Sequence, residues 1–196
     1  MHFGIKCLFF YQMQLDAFPH LTELCVYGAG QDELMSKLGQ VGRRLRTLRF
    51  FDDMNCDLNA VLVACPYLSE LDVHVRELRC AEPLRPDTLQ RLRTLHFTLD
   101  ESDTIQQGLL LQLLRLSPKL RSVDVATVRL AAEEVEGVAE LAKKRTCLRK
   151  LERFRLKLCI DWSNTLVSCF ADEAFIALAI HCPRLHSVDI SCDYDF

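Results

Sequence analysis

A triplet of apolar residues spaced LxxLxL recurs seven times along the chain, and this recurrence constrains the fold more than any other feature. It stands at Leu21/Leu24/Val26, Leu45/Leu48/Phe50, Leu68/Leu71/Val73 and Leu92/Leu95/Phe97. It returns at Leu120/Val123/Val125, Leu151/Phe154/Leu156 and Leu185/Val188/Ile190. All twenty-one positions are aliphatic or Phe in a chain that is only 49% apolar, so chance does not account for them. The alternation at the end of each triplet is the period of a half-buried strand. First positions lie 23 to 34 residues apart, which leaves room for the crossover of a dozen or more residues that parallel strands need. The sixth repeat has a second possible register through Leu148 and Leu151. That register would turn Arg153 inward, so Leu151/Phe154/Leu156 is preferred.

The segments between triplets read mostly as helices. Pro19, Pro66, Pro118 and Pro183 stand two residues before the first apolar position of alternate repeats. Proline fixes its own φ and disfavours helix in the residue before it, so each one ends a helix and launches a strand. Repeats two and four instead share LRTLxFxxD, at 45–53 and 92–100. Apolar stripes are predicted at Leu34, Leu38 and Val41, and at Leu58, Val61 and Leu62 behind Asp57 as N-cap. A third is Ile105, Leu109 and Leu113 after Ser102 and Asp103, and a fifth is Phe175, Leu178 and Cys182. The fourth, Val135, Val138 and Ala142, carries Glu133, Glu134, Glu136 and Glu140 outside and Lys143, Lys144 and Arg145 at its end, an order that suits the helix dipole. Residues 79–88 hold Pro83 and Pro86 and read as an irregular turn.

A chain of 196 residues is long enough for one domain with a sizeable core. A net charge of −3 argues against nucleic acid or a membrane surface as partner. The ten cysteines form no CxxC pair and match no zinc spacing. Several occupy corresponding interior positions, where a free thiol serves as a small hydrophobe, which points to a cytoplasmic or nuclear protein. The N-terminal MHFGIKCLFFYQ has too short an apolar run for a signal peptide and is interrupted by Lys6. Its Ile5, Leu8 and Phe10 repeat the triplet spacing and suggest a degenerate strand. The longest apolar run elsewhere, 109–114, is broken by Gln112, so no membrane span is expected.

Strand followed by helix at this period is the leucine-rich repeat signature. The blocks CPYLSELDV at 65–73 and CPRLHSVDIS at 182–191, with the helix DEAFIALAIHC at 172–182, resemble the cysteine-containing repeats of F-box proteins. The resemblance covers about residues 18–192. It departs from the family at the Asn/Cys ladder position, where only Cys159 matches and Asp53, Asp100 and Asp193 substitute in part. The F-box segment itself is not recognisable. The resemblance implies an α/β leucine-rich repeat solenoid, a ribonuclease-inhibitor-like horseshoe segment with one curved parallel sheet and helices on the convex side. Residues 1–17 would be a degenerate strand or truncated repeat, and 18–196 the repeat domain of about seven repeats. It further implies a protein–protein interaction scaffold, the substrate-recognition repeats of an F-box-type ubiquitin ligase subunit. Further repeats or an adaptor-binding domain outside this chain are expected, since the flank of the last repeat lacks a polar cap. The repeat region of an innate-immune, nucleotide-binding receptor is the alternative of the same kind.

Alternation along each strand turns one set of side chains to the face opposite the apolar positions. At about 4.8 Å per strand, seven strands present a strip roughly 30 Å long. The partner-binding candidates on it are Glu23, Tyr27, Arg49, Phe51, Glu70, Asp72, His74, His96, Arg153, Arg155, Lys157 and Asp189. Glu70 and Asp72 should form an acidic spot, and Arg153, Arg155 and Lys157 a basic one for an acidic or phosphorylated segment. Asp124 and Asp189 on the flanking strands could each pair with one of those cations. Tyr27 and Phe51 would be apolar groups on an exposed face. The different-class alternative is an enzyme using His74 and His96, with Asp72 orienting one of them. No nucleophile is expected in register and no Walker, GxGxxG, HExxH or GxSxG motif occurs, so no catalytic function and no cofactor are expected. His181, His186, Cys182 and Cys192 could suggest a metal site. Cys182, however, shares its repeat position with Cys65, Gly42, Ser117 and Leu89, and core packing is the simpler reading.

Overall fold

Every apolar triplet leads into a strand, and the strands join in chain order. The structure, a computed structural model, describes residues 3–7, 14–51, 55–75, 77–85, 87–98, 104–128, 132–144, 147–160 and 165–194. Its elements begin β1 (Phe3–Cys7), β2 (Leu21–Tyr27), α1 (Gln31–Val41), β3 (Thr47–Phe51), β4 (Asn55–Asp57), α2 (Leu58–Ala64), β5 (Glu70–His74) and β6 (Glu77–Arg79). They continue with β7 (Thr94–Thr98), β8 (Thr104–Ile105), α3 (Leu109–Leu116), β9 (Ser122–Val128), α4 (Ala132–Lys143), β10 (Arg153–Ile160), α5 (Thr165–His181) and β11 (Ser187–Tyr194). This is an α/β fold with an eight-stranded, wholly parallel sheet in the order β1-β2-β3-β5-β7-β9-β10-β11. A second parallel sheet joins the short strands β4, β6 and β8.

One backbone device opens each repeat. The amide of the first triplet residue donates to the carbonyl three residues earlier, seven times over: Leu21 to Phe18, Leu45 to Gly42, Leu68 to Cys65, Leu92 to Leu89, Leu120 to Ser117, Leu151 to Leu148 and Leu185 to Cys182. The turn satisfies an amide at the point where the preceding segment ends, and it hands the chain to the sheet. Leu148 thus belongs to this row and Leu151 opens the sixth triplet, as the preferred register has it. The row is buried except at Phe18. Gly42 is glycine because a Cβ there would overlap the Ala64 carbonyl oxygen of the next repeat.

Eighteen of the twenty-one triplet positions are buried, and with the helix stripes they form a single core cluster. Each fully buried Leu, Val or Phe removes about 1.5–3 kcal/mol worth of apolar surface from water. Leu185, Val188 and Ile190 are half-buried because β11 is an edge strand of the sheet. Helices pack in chain order, α1 on α2, α3 on α4 and α4 on α5. Asp57 caps α2 as expected, accepting from the Asn59 amide at 3.1 Å. No described helix is long and apolar enough to cross a membrane.

Several expectations need correction. Ile105 lies in β8, a strand of the small sheet, and α3 begins only at Leu109. Glu134 is buried rather than outside: it accepts the Gly108 amide at 2.8 Å and so holds the N-terminus of α3. Phe175 does not join Leu178 and Cys182 in the core but is 46% exposed. The first strand is in place, but Ile5 pairs with Leu24 rather than standing opposite Leu21. Leu8, Phe10, Asp53, Pro86, Asp100, Ser102, Asp103 and Arg145 lie outside the described residues, as do the side chains of Cys159, Cys192 and Asp193.

Candidate functional site: the open face of the large sheet

The face opposite the core carries the second set of strand side chains, half-buried or exposed except for the buried Thr47. Parallel pairing aligns them in three rows. The first runs Glu23, Thr47, Glu70, Thr94, Ser122, Arg153, Ser187. The middle row runs Cys25, Arg49, Asp72, His96, Asp124, Arg155, Asp189. The third begins Tyr27, Phe51, His74, Thr98, Ala126. The register then slips between Leu156 and Leu158, so Lys157 pairs with Ser191 but with no residue of β9. All twelve predicted partner-binding residues stand on this face, in the expected strands.

From Arg49 to Asp189 the middle row alternates in charge. Asp72 accepts from His96 Nδ1 at 3.0 Å, and Asp124 lies 4.0 Å from His96 Nε2. Arg155 reaches Asp124 at 3.7 Å through Nη1 and Asp189 at 3.3 Å through Nε. At the other end, Arg49 lies 3.9 Å from Glu70, which also accepts the Thr47 hydroxyl at 3.4 Å. The expected separation into an acidic and a basic spot is therefore corrected: opposite charges on adjacent strands interleave. Asp124 and Asp189 share one cation, Arg155, instead of taking one each. Arg153 has no ion-pair partner among the described residues.

Two carboxylates hold His96 toward its charged form. The Asp72 hydrogen bond raises its pKa above the ordinary histidine value most, and the charges of Asp72 and Asp124 add to it. Partial burial and the nearby Arg155 oppose the shift.

At the C-terminal ends of β2, β3 and β5 the third row forms an aromatic shelf. Tyr27 and Phe51 stack at 4.8 Å with planes 10° apart, and His74 meets Phe51 at 6.1 Å, tilted by 58°. Offset or tilted aromatic pairs at such spacing are favourable beyond the area they bury. Half-exposed, the shelf leaves apolar surface open beside the charged row. Asp72 thus orients His96, while His74 packs with the aromatics.

The Thr98 hydroxyl stands 3.3 Å from His96 Nε2, so Asp72, His96 and Thr98 have the order of orienter, base and hydroxyl. This alignment was not expected from the sequence. Acyl transfer also needs donors aimed at a developing oxyanion. Here β7 is hydrogen-bonded to β5 on one side and β9 on the other, so its backbone amides are engaged in the ladder. Nor do the buried thiols supply a nucleophile: burial pushes Cys56 and Cys65 up to about 12, with Asp57 adding to the shift at Cys56. Both are protonated at neutral pH. Among the described residues no three His, Cys, Asp or Glu side chains converge in a way that could hold a metal ion.

The chain matches no family model. No curated protein matches it either. The arrangement on the open face is therefore interpreted from its own geometry. Asp124 is the charged residue of the middle row missing from the predicted partner-binding set. Its position between two strand residues already in that set was the available signal.

Proposed function

We propose that the chain is a leucine-rich repeat solenoid and that its open sheet face, concave in such a fold, binds a partner protein. The observation that carries this reading is the half-exposed Tyr27–Phe51 stack set against an alternating charge row on one continuous surface. Aromatic residues are enriched in the binding centres of protein interfaces, and complementary charges around them fix orientation and association rate. The repeated turn, the parallel order and the 23 to 34 residue period support the repeat assignment. The resemblance of 65–73 and 182–191 to F-box protein repeats supports a role in choosing substrates for a ubiquitin ligase, in a cytoplasmic or nuclear setting.

Binding is favoured over catalysis because the Asp72–His96–Thr98 alignment lies on an open sheet whose amides are already engaged. The test is affinity purification from cells with the wild-type chain and with Phe51→Ser/Arg155→Glu, followed by affinity measurement with the purified partner. The double variant should bind at least tenfold more weakly with an unchanged melting temperature. Equal affinity in a folded variant would remove this face from the interface.

A further inference from the structure

Away from the open face, four cations converge on one cleft along the edge of the large sheet formed by the N-terminal ends of its strands β3, β5, β7 and β9. Arg46, Arg91, Arg93 and Lys119 line it together with Tyr67 and Ser69, around a cavity of about 390 Å³. Arg46 and Arg93 precede Thr47 and Thr94, which pair through Glu70 across three adjacent strands, so their backbones stand two strand spacings apart, about 9.6 Å. Arg91 and Lys119 come from the turns that lead into β7 and β9.

Tyr67 organises the cleft. The Arg46 guanidinium lies 5.2 Å and that of Arg91 4.5 Å from its ring centroid, and Arg46 also donates to the Tyr67 carbonyl at 3.3 Å. Cation–π attraction holds each guanidinium over the ring, and a guanidinium carries five N–H donors, more than that contact uses. The Ser69 hydroxyl donates to the Arg46 carbonyl at 3.0 Å, which fixes the backbone between the two outer arginines.

Among the described residues, none of the four cations has a carboxylate within salt-bridge distance. The next position in the same backbone series is different: Arg121 is paired with Glu152 at 3.3 Å. Helices α2 and α3 both end near this edge, and their C-termini attract cations in general. That attraction does not explain why four of them face one cavity in a chain of net charge −3. Like charges held together repel, and a bound anion removes the repulsion.

We propose that this cleft binds the phosphoryl group of a phosphorylated serine or threonine carried by a partner protein. The proposal rests on the protein-binding reading above and adds a second contact point to it. Forked guanidiniums suit a phosphate's three oxygens, and Lys119 adds a point charge. The cations converge on a single spot, and the flanking Arg121 is neutralised. A nucleic acid would instead need a row of free cations to follow successive phosphates.

The test is an NMR titration of the isotope-labelled chain at constant ionic strength. The probes are a phosphoserine peptide library with random flanks, its unphosphorylated counterpart, inorganic phosphate and a short single-stranded DNA. Saturable shifts at the Arg46, Ser69 and Arg93 amides are expected with the phosphopeptides, at least tenfold tighter than with the unphosphorylated library or inorganic phosphate. Arg46→Ala/Arg93→Ala should abolish them. If that variant does not fold, Arg46→Lys/Arg93→Lys keeps the charge, loses the forks and should weaken binding severalfold. Any of three results would overturn the proposal: no saturation up to millimolar phosphopeptide, equal response to the unphosphorylated library, or tighter binding of inorganic phosphate or DNA. The open-face reading fails separately. Loss of partner binding in Phe51→Ser/Arg155→Glu alone would leave that reading standing and exclude the cleft.

Discussion

His96 shows how much one residue's behaviour depends on its two neighbours in the row. With Asp72 at 3.0 Å and Asp124 at 4.0 Å, the folded chain binds the imidazole proton more tightly than the unfolded chain does. A pKa raised by folding adds stability that is fully present below the ordinary histidine value of about 6.5. That stability is lost as pH rises through the higher folded value. The site is more than a third exposed, so solvent screening keeps the effect small. The groups facing the ring are Asp72, Asp124, Thr98 and Arg155, and only Arg155 disfavours the charge electrostatically. Two-dimensional NMR should find His96 titrating above the ordinary histidine value, and Asp72→Asn should bring it down toward that value. A His96 midpoint unmoved by Asp72→Asn would show that the 3.0 Å contact does not govern its charge. Which of His74 and His96 Asp72 would hold was not legible in the sequence, because alternation puts both on one face and says nothing of rotamers.

At the scale of elements, what the sequence shows clearly is what repeats. The triplets, the prolines before them and the stripes of α1, α2 and α4 carry a period, and the structure buries the stripes and the first six triplets. The strands β4, β6 and β8 are only two or three residues long, too short to show alternation, and so Ile105 was attached to the helix that follows it. Glu134 escaped for another reason. A glutamate in the first turn of a helix ordinarily favours that helix's own N-terminus. This one is 4% exposed and serves its neighbour, accepting the Gly108 amide that opens α3, where Gly108 takes a left-handed φ of 77°. Removing such an acceptor leaves the half-buried Gly108 amide without its partner, at a cost of about 1–3 kcal/mol. Glu134→Ala should therefore lower the melting temperature by several degrees, since about 1 kcal/mol shifts a domain of this size by about 2–4 °C. Glu133→Ala, one residue away and exposed, should change it by less than about a degree or two. Equal melting of the two variants in calorimetry would refute the capping role. The cleft at Arg46 and Arg93 left a trace in the shared LRTL blocks, yet its other members, Tyr67, Arg91 and Lys119, sit in turns where no period marks them.

For the whole molecule, the decisive property is that each strand of the large sheet pairs only with its neighbours in chain order. Cooperation must then pass from repeat to repeat, and a strand is only as secure as the layers on both sides of it. In the middle, Leu71, Val73, Leu95 and Phe97 are at most 1% exposed and lie between paired strands on either side. At the end, Leu185, Val188 and Ile190 are half-buried, and α5 exposes Phe175, Ile176 and Ile180, the last at 66%. Lys143 ties α4 to α5 by reaching Glu173 at 2.8 Å as well as Glu140 at 2.9 Å. That contact is exposed, and exposed pairs contribute only about 0–1 kcal/mol, too little to replace a buried flank. Local opening follows from few buried contacts. Native-state hydrogen exchange should therefore be graded, with β5 and β7 amides the most protected and β11 the least, by about 2 kcal/mol or more in opening free energy. Val188→Ala should widen the gap by speeding exchange in β11 while leaving β5 unchanged. Leu71→Asp, which places an unpaired charge in the core, should abolish protection across β3, β5 and β7 together. Uniform protection from β2 to β11, or β5 responding to Val188→Ala as strongly as β11 does, would mean that the sheet opens only as one unit and that pairing order does not set its stability.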